Sequence, residues 1–425
     1  MLRKLVGYAI GILFMSIILV SVGSLALAEK KPPVKLEYWL LADYYSEPVE
    51  KVMNSFKADV LRKYNIDIRY KWITVQNLDE MFVTAALARR GYDLAWEWWG
   101  ATLTKRVASG NFMPLDEYFP REEYGNYAAY NDLRLGERIY AMCFQPDPIV
   151  NCVYNKGLFR KAGLDPESFP KTWDDFLVVC AKLKAAGIAP LVFGNKEGIC
   201  NEVIFNGWTL QVFDSTEEMK QVVSKEETWI HPELIRFLHM YKYLYDKGYF
   251  MEGGMNYAYE ETYYDALIGD KAAIGINQGV IAYSALKKAR GEDIAGIAPI
   301  PIWANGKLND AVPYCAAVVG IAPWTKHINE AVTVLKEFLS AEFQTKLLLE
   351  ATIFPSCPEV DVNLVKDRYV RDLVSRMQRK AAPHWYAFYS HAEWQAQIRY
   401  ISLFLLGEIT AEEVLTQMDA AKGKI

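Results

Sequence analysis

The apolar positions change their period several times along the chain, and each change marks an element. Leu36-Glu37-Tyr38-Trp39-Leu40-Leu41 predicts a strand. From Glu47 to about Tyr64 the spacing turns helical: Val49, Val52, Met53, Phe56 and Val60 form one stripe, with Ser46 as N-cap and Pro48 in the first turn. Ile66 to Trp72 alternates apolar and polar residues and predicts a second strand. Asn77 to Arg90 is helical again through Leu78, Met81, Phe82, Ala85 and Ala86, and Gly91 closes it. Tyr92 to Trp96 is a short third strand. This order predicts a parallel α/β sheet. Such sheets bind ligands beyond the carboxyl ends of their strands. Two of those ends carry chemistry: Asp43-Tyr44-Tyr45, and Glu97-Trp98-Trp99-Gly100.

A helix is expected over Thr102–Ser109, and a second α/β set follows. Phe144 to Pro148 is extended and proline-rich, which suits a crossing between domains. Ile149 to Tyr154 reads as a strand, and Thr172 caps a helix from Trp173 to Ala186. Strands follow at 191–193, 271–276 and 316–322, with an extended run at 297–301. Helices follow at 232–247, 259–268 and 329–338, with a helical tail from Pro383 to about Ala421.

The N-terminus changes the picture. Arg3 and Lys4 precede an apolar run from Leu5 to about Val22, and Ala26 and Ala28 sit where a signal peptidase reads small side chains. Residues 1–28 are expected to be a signal peptide cleaved after Ala28, with a retained anchor as the alternative. Cleavage leaves 397 of the 425 residues, too many for one core, and moves the formal net charge from −5 to −7. An acidic surface gives no footprint for nucleic acid. For an exported chain, the even count of six cysteines permits disulfides. Proximity suggests Cys143–Cys152 and Cys180–Cys200, leaving Cys315–Cys357; buried free thiols are the alternative. The five histidines show no metal spacing, and no cofactor is expected.

Several runs also resemble one family. Tyr154-Asn155-Lys156-Gly157-Leu158-Phe159-Arg160-Lys161-Ala162-Gly163-Leu164 is similar to a signature of the extracellular sugar-binding proteins of ABC importers, the maltodextrin-binding group. Pro170 to Phe176, Asp265 to Asn277, Gly291 to Pro301, Ile353 to Ser356 and Leu405 to Leu415 resemble further family runs, in order, over nearly the whole mature chain. These runs also have a folding role: Asn155-Lys156 joins a strand to a helix, and Thr172 with Asp175 forms a capping pair. The resemblance implies an α/β, two-lobed periplasmic-binding fold that closes by hinge motion. Three crossings are expected near 144–149, 308–313 and 350–356. They divide the chain into a first lobe of 29–145 plus 311–352 and a second of 146–310 plus 353–425.

Sugars present apolar faces and rims of hydroxyls, so aromatic rings beside polar side chains are the expected walls. The chain holds 12 Trp, 27 Tyr and 19 Phe, many in segments that read as loops. The candidate contacts are Asp43, Tyr44, Tyr45, Glu97, Trp98, Trp99, Trp208, Asn277, Gln278, Tyr314 and Trp385. Trp208 enters because Gly207 would expose its ring. The family's usual Trp aligns with Val280, and Tyr283 or Trp303 are candidates to replace it. The expected function is reversible, non-catalytic capture of a mono- or oligosaccharide by an exported monomer that serves a membrane permease. Charged contacts such as Glu97 favour a hydroxyl-rich neutral ligand over an acidic sugar. The rivals are an exported glycoside hydrolase and the same fold holding another solute, such as a glycerol phosphate, a quaternary amine or a metal.

Overall fold

The computed structural model describes residues 31–42, 46–223, 227–276 and 279–423. The export segment therefore lies outside the described residues, as do Asp43, Tyr44, Tyr45, Asn277 and Gln278. Two sheets are built from ten strands among those described. The first holds β1 (Val34–Leu41), β2 (Ile66–Ile73), β3 (Leu94–Trp98), β4 (Ala141–Pro148), β9 (Val312–Ile321) and β10 (Ala381–Pro383). The second holds β5 (Cys152–Asn155), β6 (Ala189–Leu191), β7 (Ala272–Ile276) and β8 (Ala295–Ala298).

The N-terminal pattern folds as its periodicity dictates. β1 and β2 pair in parallel from Val34↔Ile66 to Leu41↔Ile73. The helix Glu47–Tyr64 makes the crossover and buries Val52, Met53, Phe56 and Val60. Ser46 accepts the Val49 N–H at its start, and Asn65 ends it in the left-handed region at φ 56°. β3 lies parallel on the other side of β1. β9 then binds three strands: antiparallel β3, antiparallel β4, and parallel β10 at Val312–Tyr314. In the second sheet β6 runs parallel to β7, and β5 lies antiparallel between β7 and β8.

The buried apolar side chains form two cores. One draws on residues between 36 and 144 and between 314 and 347; the other on residues between 150 and 312 and between 348 and 421. Each sheet thus anchors one lobe, and the chain passes between the two cores three times.

Two sequence expectations change, and the extended crossing run gains a ladder partner. The run Phe144–Pro148 belongs to β4, a strand paired only with β9; on such an edge Pro146 and Pro148 leave no ladder bond unmade. All six cysteines are free. Cys143 and Cys152 stand in different sheets and Cys180 and Cys200 on different helices, so nearness in sequence does not bring sulfurs together. Burial holds the thiols of Cys143, Cys152, Cys180 and Cys315 well above their ordinary range. Finally, Phe205 to Trp208 is the middle of the helix Ile199–Thr209, not an open loop. Gly207 serves close packing: a Cβ there would stand 2.2 Å from Val150 Cγ1.

The family-like runs do hold the second lobe together. Asn155 accepts the Leu158 N–H and donates to Leu267 O and Asp270 Oδ1. Lys156 is buried, paired with Glu167 at 3.0 Å and seated over the Tyr369 ring. Thr172 accepts the Asp175 N–H.

Gly207 supplies a test. Within a helix, Gly to Ala normally gains about 1 kcal/mol. Gly207→Ala is expected instead to lose about 1–3 kcal/mol through overpacking on Val150. Val150→Ala in the same chain should recover most of that loss, as read by thermal unfolding of the single and double variants.

Candidate functional site

The turn after β3 is held from inside by charge. Glu97 Oε2 accepts from Arg106 Nε at 2.5 Å, and Oε1 accepts the Trp98 N–H at 2.8 Å. Arg106 also pairs with Asp79 and lies over the Phe82 ring. Glu97 and Arg106 are 1% and 2% exposed. Burial pushes the Glu97 carboxyl up, against the pull of Arg106. Both Glu97 oxygens are therefore engaged within the first lobe, where they fix the backbone that presents Trp98 and Trp99.

The candidate aromatics divide by exposure. Trp98 is half-buried and meets Trp96 edge-on, with centroids 4.8 Å apart. Trp99 is buried, stacked on Tyr314 at 5.9 Å and edge-on to Phe388. Tyr314 is buried too, and its hydroxyl donates to Asp132 Oδ2 at 3.0 Å. Trp208 and Trp385 stand inside the second core; their indole N–H groups donate to Pro301 O and Thr209 Oγ1. Trp303 donates to Trp208 O and Tyr283 to Asp367 Oδ2, both from buried positions, and Val280 is buried as well. Of these candidate rings Trp98 keeps partial exposure, and the others are buried.

The turns from the two lobes meet at the strands that cross between them. In the β4–β9 ladder Asp147 stands opposite Cys315, and Pro148 opposite Tyr314. The His384 N–H donates to Tyr314 O, which ties the chain after β10 to the same place. Gly100, from the first lobe, comes so near that a Cβ would lie 2.7 Å from Tyr386 O. Gly279, from the second lobe, would lie 2.7 Å from Pro148 O and 3.9 Å from Asp147 Oδ1. Only glycine permits both approaches. Asp147, Cys315 and Tyr386 keep partial exposure here.

Glu202 reaches this floor from the helix Ile199–Thr209. Its Oε1 accepts from Asn206 Nδ2 at 3.1 Å and lies 3.5 Å from His384 Nε2. Asn206 is fixed in turn by Tyr389 and Gln397. Burial pushes Asp147 up to about 6 and Glu202 up to about 7, hydrogen bonds from Asn206 and Trp394 partly opposing the latter. Burial lowers His384 to about 3, so its imidazole is neutral. Both ring nitrogens of His384 are buried and have no hydrogen-bond partner among the described residues.

Sequence reasoning passed over Asp147, Glu202 and His384, whereas Cys315 and Tyr386 were noted beside Tyr314 and Trp385. Some signal was present. Asp147 lies within the crossing run, His384 and Tyr386 flank Trp385, and Cys315 follows Tyr314. What was lacking was side-chain direction.

Two α/β lobes, joined by three crossings that meet beneath facing turns, define a hinged solute-binding architecture. The family model described as bacterial extracellular solute-binding protein matches residues 39–345, and the chain belongs to that family. The sn-glycerol-3-phosphate-binding periplasmic protein UgpB of Shigella flexneri serotype 5b (strain 8401) is 30% identical over 153 residues, 36% of this chain and 34% of that protein. The chain thus matches about a third of the length of this curated relative. The fold is shared with a chitin oligosaccharide binding protein, at TM-score 0.75 and 18% identity over 92% of this chain and 98% of the other. It is also shared with an ABC transporter solute binding protein from Thermotoga lettingae TMO bound with α-D-tagatose, at TM-score 0.71 and 18% identity over 92% and 100%.

The two charge arrangements give two predictions. Arg106→Met strands Glu97 as a buried charge and is expected to cost about 3–5 kcal/mol near neutral pH, as read by denaturant unfolding. The loss should shrink in acid, where Glu97 takes up a proton. Folded Glu202 keeps its proton to about pH 7, whereas an unfolded glutamate releases it near about pH 4.3. The resulting stabilisation is complete below the lower value and lost as pH rises through the higher one. Glu202→Gln should therefore leave the ligand-free melting temperature unchanged at pH 4. Above pH 7 it should raise stability, by about 4 kcal/mol at most.

Proposed function

We propose that this chain is the exported substrate-binding component of an ABC importer, and that it holds a mono- or oligosaccharide reversibly between its lobes. The observation that carries this reading is the convergence of the turns after β3 and β7 on one hinge floor. The half-buried ring of Trp98 stands at the end of β3, and the half-buried ring of Tyr386 lies on the segment after β10. Rings for the apolar face of a sugar, beside acceptors for its hydroxyls, are what such a solute requires. The fold shared with a chitin oligosaccharide binding protein and with a tagatose-bound solute binding protein lends support.

In this reading Asp43, Tyr44, Tyr45, Trp98, Asn277 and Gln278 belong to the turns that touch solute. Glu97, Trp99, Trp208, Tyr314 and Trp385 support them from behind. The lobes comprise 29–145 plus 311–352 and 146–310 plus 353–425. Residues 1–28 are removed on export, and the protein works as a monomer that hands unaltered solute to membrane permease subunits. Hinge closure supplies the state that a permease would recognise.

The test is a thermal-shift panel of mono- and oligosaccharides on residues 29–425. Ligand at a hundredfold excess over Kd stabilises the folded state by about 2.7 kcal/mol. A saccharide hit is expected, with the sugar recovered unchanged by chromatography. Trp98→Ala should weaken calorimetric binding of that sugar at least tenfold. Conversion of the sugar, or full affinity in Trp98→Ala together with Tyr386→Ala, overturns the reading.

A further inference from the structure

We infer that the second lobe carries an anion site at the pole opposite the hinge, where Lys161, Lys271 and Arg290 surround a crevice that takes a phosphate group. The site lies apart from the cleft between the lobes. β5 and β7 run antiparallel, with Cys152 opposite Ile276 and Tyr154 opposite Ile274. The end of β7 leads toward Gly279, which packs on Pro148 at the hinge. The start of β7 at Ala272 and the end of β5 at Asn155 therefore share the far end of the sheet. A crevice of about 310 Å³ opens there.

Two of the family-like runs meet at this pole, and a third begins just beyond it. Lys161 ends the helix Lys156–Lys161. Asp270 and Lys271 stand between the helix Tyr259–Ile268 and β7, and Arg290 ends the helix Val280–Arg290. Folding accounts for part of this assembly. Asn155 Nδ2 donates to Leu267 O and, at 2.7 Å, to Asp270 Oδ1. Arg290 donates to Ile268 O and, at 2.9 Å, to Asp270 Oδ2. Both Asp270 oxygens are thus engaged, and part of the guanidinium fork is left over. Folding does not account for the two lysines. Both are exposed on the rim of the crevice, and among the described residues neither pairs with a carboxylate.

The crevice therefore sets three cations against one carboxylate, on a chain whose formal net charge is −5. Like charges around one opening repel, and an anion seated among them removes that repulsion. A phosphate group suits the arrangement because it offers several acceptor oxygens at once. The fork of Arg290 can meet two of them, and each lysine brings a point charge on a flexible stem. Leu158 and Ile188 behind the rim are apolar and buried, so the rim supplies the polar contacts. All three cations are exposed, so salt should weaken the attraction. The same chemistry belongs to a free phosphate and to the headgroup of an anionic phospholipid.

The experiment uses the full mature chain at low ionic strength. Inorganic phosphate and pyrophosphate are titrated by calorimetry. Vesicles of phosphatidylcholine, with and without phosphatidylglycerol, are tested by co-sedimentation. Binding is expected in at least one arm: the soluble anions identify a free phosphate as the source, and the phosphatidylglycerol vesicles identify a headgroup. Lys161→Ala with Lys271→Ala should weaken that binding at least tenfold. Lys51→Ala with Lys326→Ala, which removes two exposed charges elsewhere, should leave it unchanged. Both double variants should melt with the unmodified protein in phosphate-free buffer, which separates lost binding from lost folding. Absence of binding in both arms overturns the inference. So does full binding by Lys161→Ala with Lys271→Ala, or an equal loss in the two double variants, which marks general charge attraction. Saccharide binding between the lobes should be the same in Lys161→Ala with Lys271→Ala as in the unmodified protein, so the two sites stand or fall separately.

Discussion

Every backbone amide and carbonyl taken out of water must find a partner, and β9 meets that demand with strands from three far-separated parts of the chain. Leu94 to Trp98 pair with one stretch of it, Ala141 to Pro148 with an overlapping stretch, and Ala381 to Pro383 with its beginning. The first sheet exists only because these pairings hold together. The same pairings bring Asp147, Cys315 and His384 to one level, since each lies on or beside a strand of the ladder. The floor of the cleft is thus a by-product of satisfying backbone hydrogen bonds.

Charge is managed differently on either side of that floor. In the first lobe Glu97 is neutralised by Arg106, so the turn carrying Trp98 is rigid and electrically quiet. At the hinge no Lys or Arg among the described residues pairs with the carboxyl groups of Asp147 and Glu202, and burial pushes both up. Burying polar groups in this way costs stability. Strain of this kind gathers where a protein does its work. The cost is compatible with folding because the Gln397–Asn206–Tyr389 network fixes Glu202 in place.

Much of the architecture was legible in the amino-acid pattern. The helix at Glu47–Tyr64 and the strands around it follow from clean periodicity with explicit caps. The two-lobed fold followed from ordered short motifs, although Asn155, Lys156 and Thr172 proved to be folding residues. The strand through Pro146 and Pro148 was hidden because proline reads as a breaker, and its edge position was not visible. The helix at Ile199–Thr209 was hidden by Asn and Gly residues that pack and hydrogen-bond inward. Composition does not say which way a ring points. Trp208 and Trp385 turn into the core, whereas Asp147 and Glu202, which have no aromatic signature, reach the floor.

The long reach of β9 also has a temporal side. When the ribosome or a translocation channel has released only the first two hundred residues, β3 and β4 are complete and β9 has not yet been made. The second core waits longer still, because Ile401, Phe404, Val414 and Met418 help to close it. Non-local pairing of this kind makes folding slow. A chain whose two halves both depend on its last quarter cannot complete either core until that quarter is available.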